Sequence, residues 1–184
     1  MIREVDLMVR PVFDIDLLDV DGFDGHLQEL ADILFECVHG GAAVSFILPF
    51  KLSEAVSFWQ EMVRPSLVTE RRVVIAAKIN ERVVGTVQLD LDTRPNQPHR
   101  GDVAKMLVHP DFRRLGIARA MMIELEKQAT QAGRQLIMLD TQTGGEAEAL
   151  YTSLGYKPVG QVPNYALNAT SAGYHAATIM FKPL

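Results

Sequence analysis

Residues 102–119, DVAKMLVHPDFRRLGIAR, constrain this chain more than any other stretch. An apolar run ends at His109-Pro110, a turn holds two arginines and Gly116, and a helical pattern begins at once. A strand running into a helix through such a turn leaves the first amides of the helix without partners. It also aims the positive end of the helix dipole at whatever approaches. Gly116 and Ala118 give clearance, while Arg113, Arg114 and Arg119 can neutralise an anion with planar forks. Because strand, charge and helix agree, the segment reads as a pyrophosphate cradle rather than as a glycine that merely ends a loop.

The flanking segments set the fold class. RVVIAAK at 72–78 and VVGTVQLDL at 83–91 are β-branched runs separated by Asn80-Glu81-Arg82, the pattern of an antiparallel hairpin. After the helix expected over 116–131, LIML at 136–139 is short and continuously apolar, like a strand buried on both faces. Strand, helix, strand implies a crossover between parallel neighbours. A further helix is expected over 146–154, stopped by Gly155, with last strands over 156–162 and 176–181. Earlier in the chain, Leu27, Leu30, Ile33, Leu34, Cys37 and Val38 recur at helical spacing within 25–38, and Gly40-Gly41 ends that helix. Ser53 can cap a second helix, closed by Pro65. The expectation is an α/β chain, a single domain over 1–184, whose mixed, mostly antiparallel sheet carries helices on both faces.

A formal charge of −5 and the lack of any basic run make nucleic acid a poor partner, so an anionic ligand must be held locally by Arg71-Arg72 or Arg113-Arg114. One cysteine, Cys37, cannot form an internal disulfide, which suits a reducing compartment, and the cytoplasm is expected. The start, MIREVDLMVRPVFDID, alternates charged and apolar residues and shows no signal peptide, and no stretch approaches the length of a membrane span. No metal site is expected.

At residues 113–118 the pattern Arg, two residues, Gly, one residue, Ala resembles the acetyl-CoA motif of the GNAT superfamily of N-acetyltransferases. The resemblance covers most of the chain. It implies that acetyl-CoA is the co-substrate and that Met106, Leu107 and Val108 hold its pantetheine arm. Arg113, Arg114, Leu115, Gly116, Ile117, Ala118, Arg119 and Thr141 complete that binding set. AEALYTSLGY at 147–156 is similar to the family's third helix, and Gly144 stands where the family usually has Asn. Tyr151 takes the place of the tyrosine that protonates the departing thiolate in many relatives; the other reading of such a tyrosine is half-buried packing. An amine nucleophile also needs a base. Asp102 and Asp140, both beside apolar runs, are the candidates, against a surface role for Asp102 and a turn-capping role for Asp140.

The string VHGGAAVSF at 38–46, the pair Asp140-Thr141 and the tail from Pro163-Asn164-Tyr165 to Tyr174-His175 resemble the tabtoxin-resistance type of GNAT enzyme. By that resemblance Asp102 and Asp140 act as bases, and the acceptor is the primary amine of a small amino-acid-like molecule, an antibiotic or a toxin. His39, Ser45, Phe46, Tyr165 and Tyr174 then belong to its pocket. His39 reads equally as a helix C-terminal residue favoured by the dipole, Phe46 as core, and Tyr165, Tyr174 and His175 as contacts in a homodimer. Peptide N-acetylation and non-catalytic acyl-CoA sensing are the rival functions.

Overall fold

The hairpin expected from two β-branched runs lies inside a larger sheet. In the computed structural model, which describes residues 12–184, the elements are β1 (Asp14–Leu18), α1 (Val20–Gly25), α2 (Leu27–His39), α3 (Leu52–Ser57), a π-helical stretch (Phe58–Val63) and α4 (Arg64–Val68). There follow β2 (Arg72–Ile79), β3 (Arg82–Asp90), β4 (Arg100–Val108), α5 (Ile117–Gln131), β5 (Leu136–Gln142), α6 (Glu146–Ser153), β6 (Lys157–Leu167) and β7 (Tyr174–Pro183). The sheet order is β1-β2-β3-β4-β5-β7-β6. All neighbours are antiparallel except β4 and β5, the pair joined through α5. The signal-peptide reading falls almost wholly on residues outside the described ones. Among the described residues, no helix is long and apolar enough to cross a membrane.

Alternation along the strands divides the core. Val74, Ala76, Val83 and Leu107 point to one face and pack with Phe23, Leu30, Leu34 and Trp59 from the N-terminal helices. Ile75, Val84, Val87, Leu89, Ile137 and Leu139 point to the other, against Ile117, Met121, Met122 and Leu125 of α5 and Tyr151 of α6. The buried residues of α5 recur at the three-and-four spacing of one helical face. Leu125 is fully buried at its centre. Leu125→Ala is expected to cost about 2–5 kcal/mol, the loss of a core leucine, read as a lowered denaturant midpoint with an unchanged slope.

The chain departs from the sequence expectations at four places. β1 was not expected; its alternating DIDLL pairs with β2 from Asp14↔Lys78 to Leu18↔Val74. Ser53 does not cap the second helix, which starts at Leu52, where the Lys51 amide donates to Glu54 Oε2 at 2.9 Å. Nor does Pro65 close that helix. It lies in α4, which continues the helical path of α3 and the π-helical stretch without a break, so the proline falls just after the change from π-helical to α-helical winding. The last two strands are longer than expected, because Pro163 and Asn164 lie in β6, an edge strand where proline is tolerated.

Candidate active site

Gly116 caps α5 with φ +91°, and Arg114 two residues earlier has φ +65°. Left-handed residues in such a turn let successive amides converge into a concave donor set. Among the described residues, the amides of Leu115, Gly116, Ile117, Ala118 and Arg119 take no internal acceptor. A β-carbon built on Gly116 would meet nothing within 4 Å, so the space in front of these amides is open. The arginines divide their work. Arg113 folds inward, its Nε donating to the Val108 carbonyl at 3.4 Å, while the exposed Arg114 lies 3.7 Å from Glu146. Arg119 donates to Ser153 Oγ at 2.6 Å and so ties α5 to α6.

The cradle opens into a cleft because β4 and β5 separate. They pair only from Arg100↔Leu136 to Asp102↔Met138, although β4 continues to Val108 and β5 to Gln142. On its other side, β4 changes register against β3 between Thr86 and Gln88, and Lys105 adopts φ +46° at that irregularity. The cleft, about 740 Å³, is lined by the whole of 103–108 and 139–142, by the turn at 113–119 except Leu115, and by Tyr151. Cys37 lies in its wall, buried, its thiol pushed up by that burial.

Asp140 and Tyr151 both line this space. Burial first, then the negative charge of Asp140, push the Tyr151 phenol up from its ordinary value. That phenol keeps its proton at neutral pH. Tyr165 is raised as well, chiefly by the charge of Asp140, although it does not line the cleft. Asp140 is exposed and makes no hydrogen bond among the described residues, so it is free to meet a ligand. It lies within β5, not in a turn after it.

The remaining candidates are dispersed. Asp102 shares the sheet face of Asp140, since it pairs with Met138, two residues away on β5. Its carboxylate, however, accepts from Arg100 at 2.8 Å, and it does not line the cleft. His39 is also outside: its Nδ1 bonds the Phe35 carbonyl at 2.9 Å and its ring stacks on Phe35, one turn back on α2. Leu115 packs with the α5 side of the core. Ser45 lines the cleft, and Phe46 packs beside it against Phe50 and Phe58. Tyr174 is two-thirds exposed and paired with Leu167, away from the lining residues. Gly144, the position of the family's usual Asn, has φ +76°, a conformation that glycine adopts freely.

Sequence reasoning passed over Lys105, which lines the cleft and donates to Ser45 Oγ at 3.3 Å. The signal was present: a lysine inside the otherwise apolar run at 103–108.

A splayed parallel pair with a free-amide turn at its mouth makes a cleft suited to a ligand that carries phosphate. The chain belongs to the acetyltransferase (GNAT) family, whose model matches residues 29–156, and is accordingly an N-acyltransferase. Solved structures share the fold. The yncA protein of Salmonella typhimurium, determined with its cofactor acetyl-CoA, is 16% identical with a TM-score of 0.76, covering 94% of each chain. A ribosomal-protein-alanine N-acetyltransferase from Brucella melitensis is 18% identical, with a TM-score of 0.74 over 93% of this chain and 99% of that one. A GCN5-related N-acetyltransferase from Kribbella flavida is 20% identical, with a TM-score of 0.75 over 94% and 98%.

Proposed function

We propose that the chain transfers acetyl from acetyl-CoA directly to the primary amine of a small amino-acid-like molecule, in the manner of the tabtoxin-resistance type of enzyme. The observation that carries this reading is the presence of Asp140 and Tyr151 in one cleft with the free-amide turn. Acetyl-CoA supplies an activated thioester. The amides at 115–119, Arg113 and Arg114 suit its pyrophosphate, and the open side of β4 at Met106, Leu107 and Val108 suits its amide-bearing arm. Asp140 takes the proton from the acceptor's ammonium, and Tyr151 Oη gives one to the departing sulfur.

A small acceptor is favoured by a contact of the loop after α2, which lines the cleft at Ala42, Ala43, Val44 and Ser45. The Leu48 amide donates to the Ala169 carbonyl at 2.7 Å, joining the loop after α2 to the loop between β6 and β7. That bridge suits a closed pocket better than a groove for a peptide. A homodimer is part of the same proposal, supported by β6, an edge strand exposed from Lys157 to Tyr165. The test is free-thiol release from acetyl-CoA across amino acids, amines and amino-acid-like antibiotics. Acceptor-dependent release is expected, whereas a calorimetric blank at millimolar acetyl-CoA would sink the reading.

A further inference from the structure

Lys105 is placed where a structural lysine would not be. It projects from the irregular point of β4, its Nζ 5.6 Å from the centre of the Phe46 ring and 5.5 Å from that of Phe58. One of its three donors meets Ser45 Oγ at 3.3 Å. No carboxylate among the described residues lies within ion-pair distance of it. Burial lowers its pKa from the ordinary lysine value, and the more distant Asp140 offsets part of that effect. Aromatic faces hold a cation in place, but they do not supply the hydrogen-bond acceptors that a partly desolvated ammonium has lost.

The neighbouring cations are already committed. Arg72 donates to Gln88 Oε1 at 2.9 Å and pairs with Asp90, and Arg100 pairs with Asp102. Among the described residues, Arg113 and Arg119 also line the cleft without an ion pair, but they flank the turn proposed for the pyrophosphate. Away from that turn, Lys105 and Asp140 remain as an unpaired cation and an unpaired anion lining one cleft, each within the other's electrostatic reach.

We propose that Lys105 is the carboxylate anchor of the acceptor site, so that the acceptor is an α-amino acid or a close analogue bound as a zwitterion between Lys105 and Asp140. The inference rests on the acyl-transfer reading above and adds its specificity element. The acceptor's carboxylate takes the two donors of Nζ that Ser45 leaves free, and its ammonium is thereby turned toward Asp140. A carboxylate-free amine loses the first contact and keeps the second.

Matched acceptors test this: L-arginine with agmatine, L-lysine with cadaverine, and L-phenylalanine with phenethylamine, each in the thiol-release assay with the wild type, Lys105→Met and Lys105→Gln. In the wild type, at least one amino acid is expected to exceed its decarboxylated partner in kcat/KM. Lys105→Met is expected to raise KM for that amino acid by about 10- to 100-fold, as for a lost hydrogen bond between charged groups, with kcat little changed and the amine unaffected. Lys105→Gln should show the same selective loss if the methionine variant does not fold, and acetyl-CoA calorimetry reports folding in both. Equal use of both members of every pair by the wild type, or equal losses for both in the variants, would overturn the anchor while leaving acyl transfer intact. Binding of acetyl-CoA with no thiol release from any acceptor would overturn both.

Discussion

Tyr151→Phe is expected to lower kcat by about 10²- to 10⁴-fold, the usual span for removing a general acid, while acetyl-CoA affinity stays within about threefold. The two effects separate because the ring and the hydroxyl do different work. The ring is buried against the α5 side of the core, 5.7 Å from Tyr156, and phenylalanine keeps that packing. The hydroxyl makes no hydrogen bond among the described residues, and the side chain lines the cleft, so no structural bond is lost with it. Burial and the Asp140 charge keep the phenol protonated, the state in which it can give a proton to sulfur as negative charge develops there. Steady-state kinetics with isothermal calorimetry on the variant decide the matter. Wild-type turnover would remove the acid role from Tyr151. A parallel loss of acetyl-CoA affinity would make it a binding residue instead.

The parts of this site that are local in sequence were legible, and the parts made by tertiary contact were not. The turn at 113–118 could be read because strand end, arginines, glycine and helix start are contiguous, and each has its own physical signature. Asp102 and Asp140 looked alike because both border apolar strands. What separates them is Arg100, on the same face of β4 two residues before Asp102, a neighbour visible in the sequence once the strand is placed. His39 is similar: its partner Phe35 is four residues back on the same helix. Lys105 stands out in the sequence as a lysine in an apolar run, but its surroundings could not be read there, since they come from Ser45, Phe46 and Phe58, far earlier in the chain, and from an irregular register with β3. The length of β6 was hidden for a different reason. Pro163 and Asn164 signal a loop unless the strand is known to lie at an edge, and edge position is a property of the whole sheet.

Gly116→Val is expected to weaken acetyl-CoA binding by roughly 100-fold, the scale of losing several charge-assisted contacts at a helix start. Two effects are mixed in that substitution and must be told apart. At φ +91° a β-branched residue is strained, which costs about 1–3 kcal/mol of stability wherever it occurs. The added side chain also fills the open space before the amides at 115–119, where the pyrophosphate is proposed to sit. Gly133, beyond the other end of α5, supplies the control. It too has positive φ, +72°, and open space around a would-be β-carbon, but it lies far from the cleft lining. Gly133→Val should therefore reproduce the loss of stability, seen as a similar fall in denaturant midpoint, with calorimetric acetyl-CoA affinity unchanged. If both variants bind acetyl-CoA like the wild type, the turn is not its seat. If both lose affinity together, the effect belongs to α5 as a whole rather than to the space in front of Gly116.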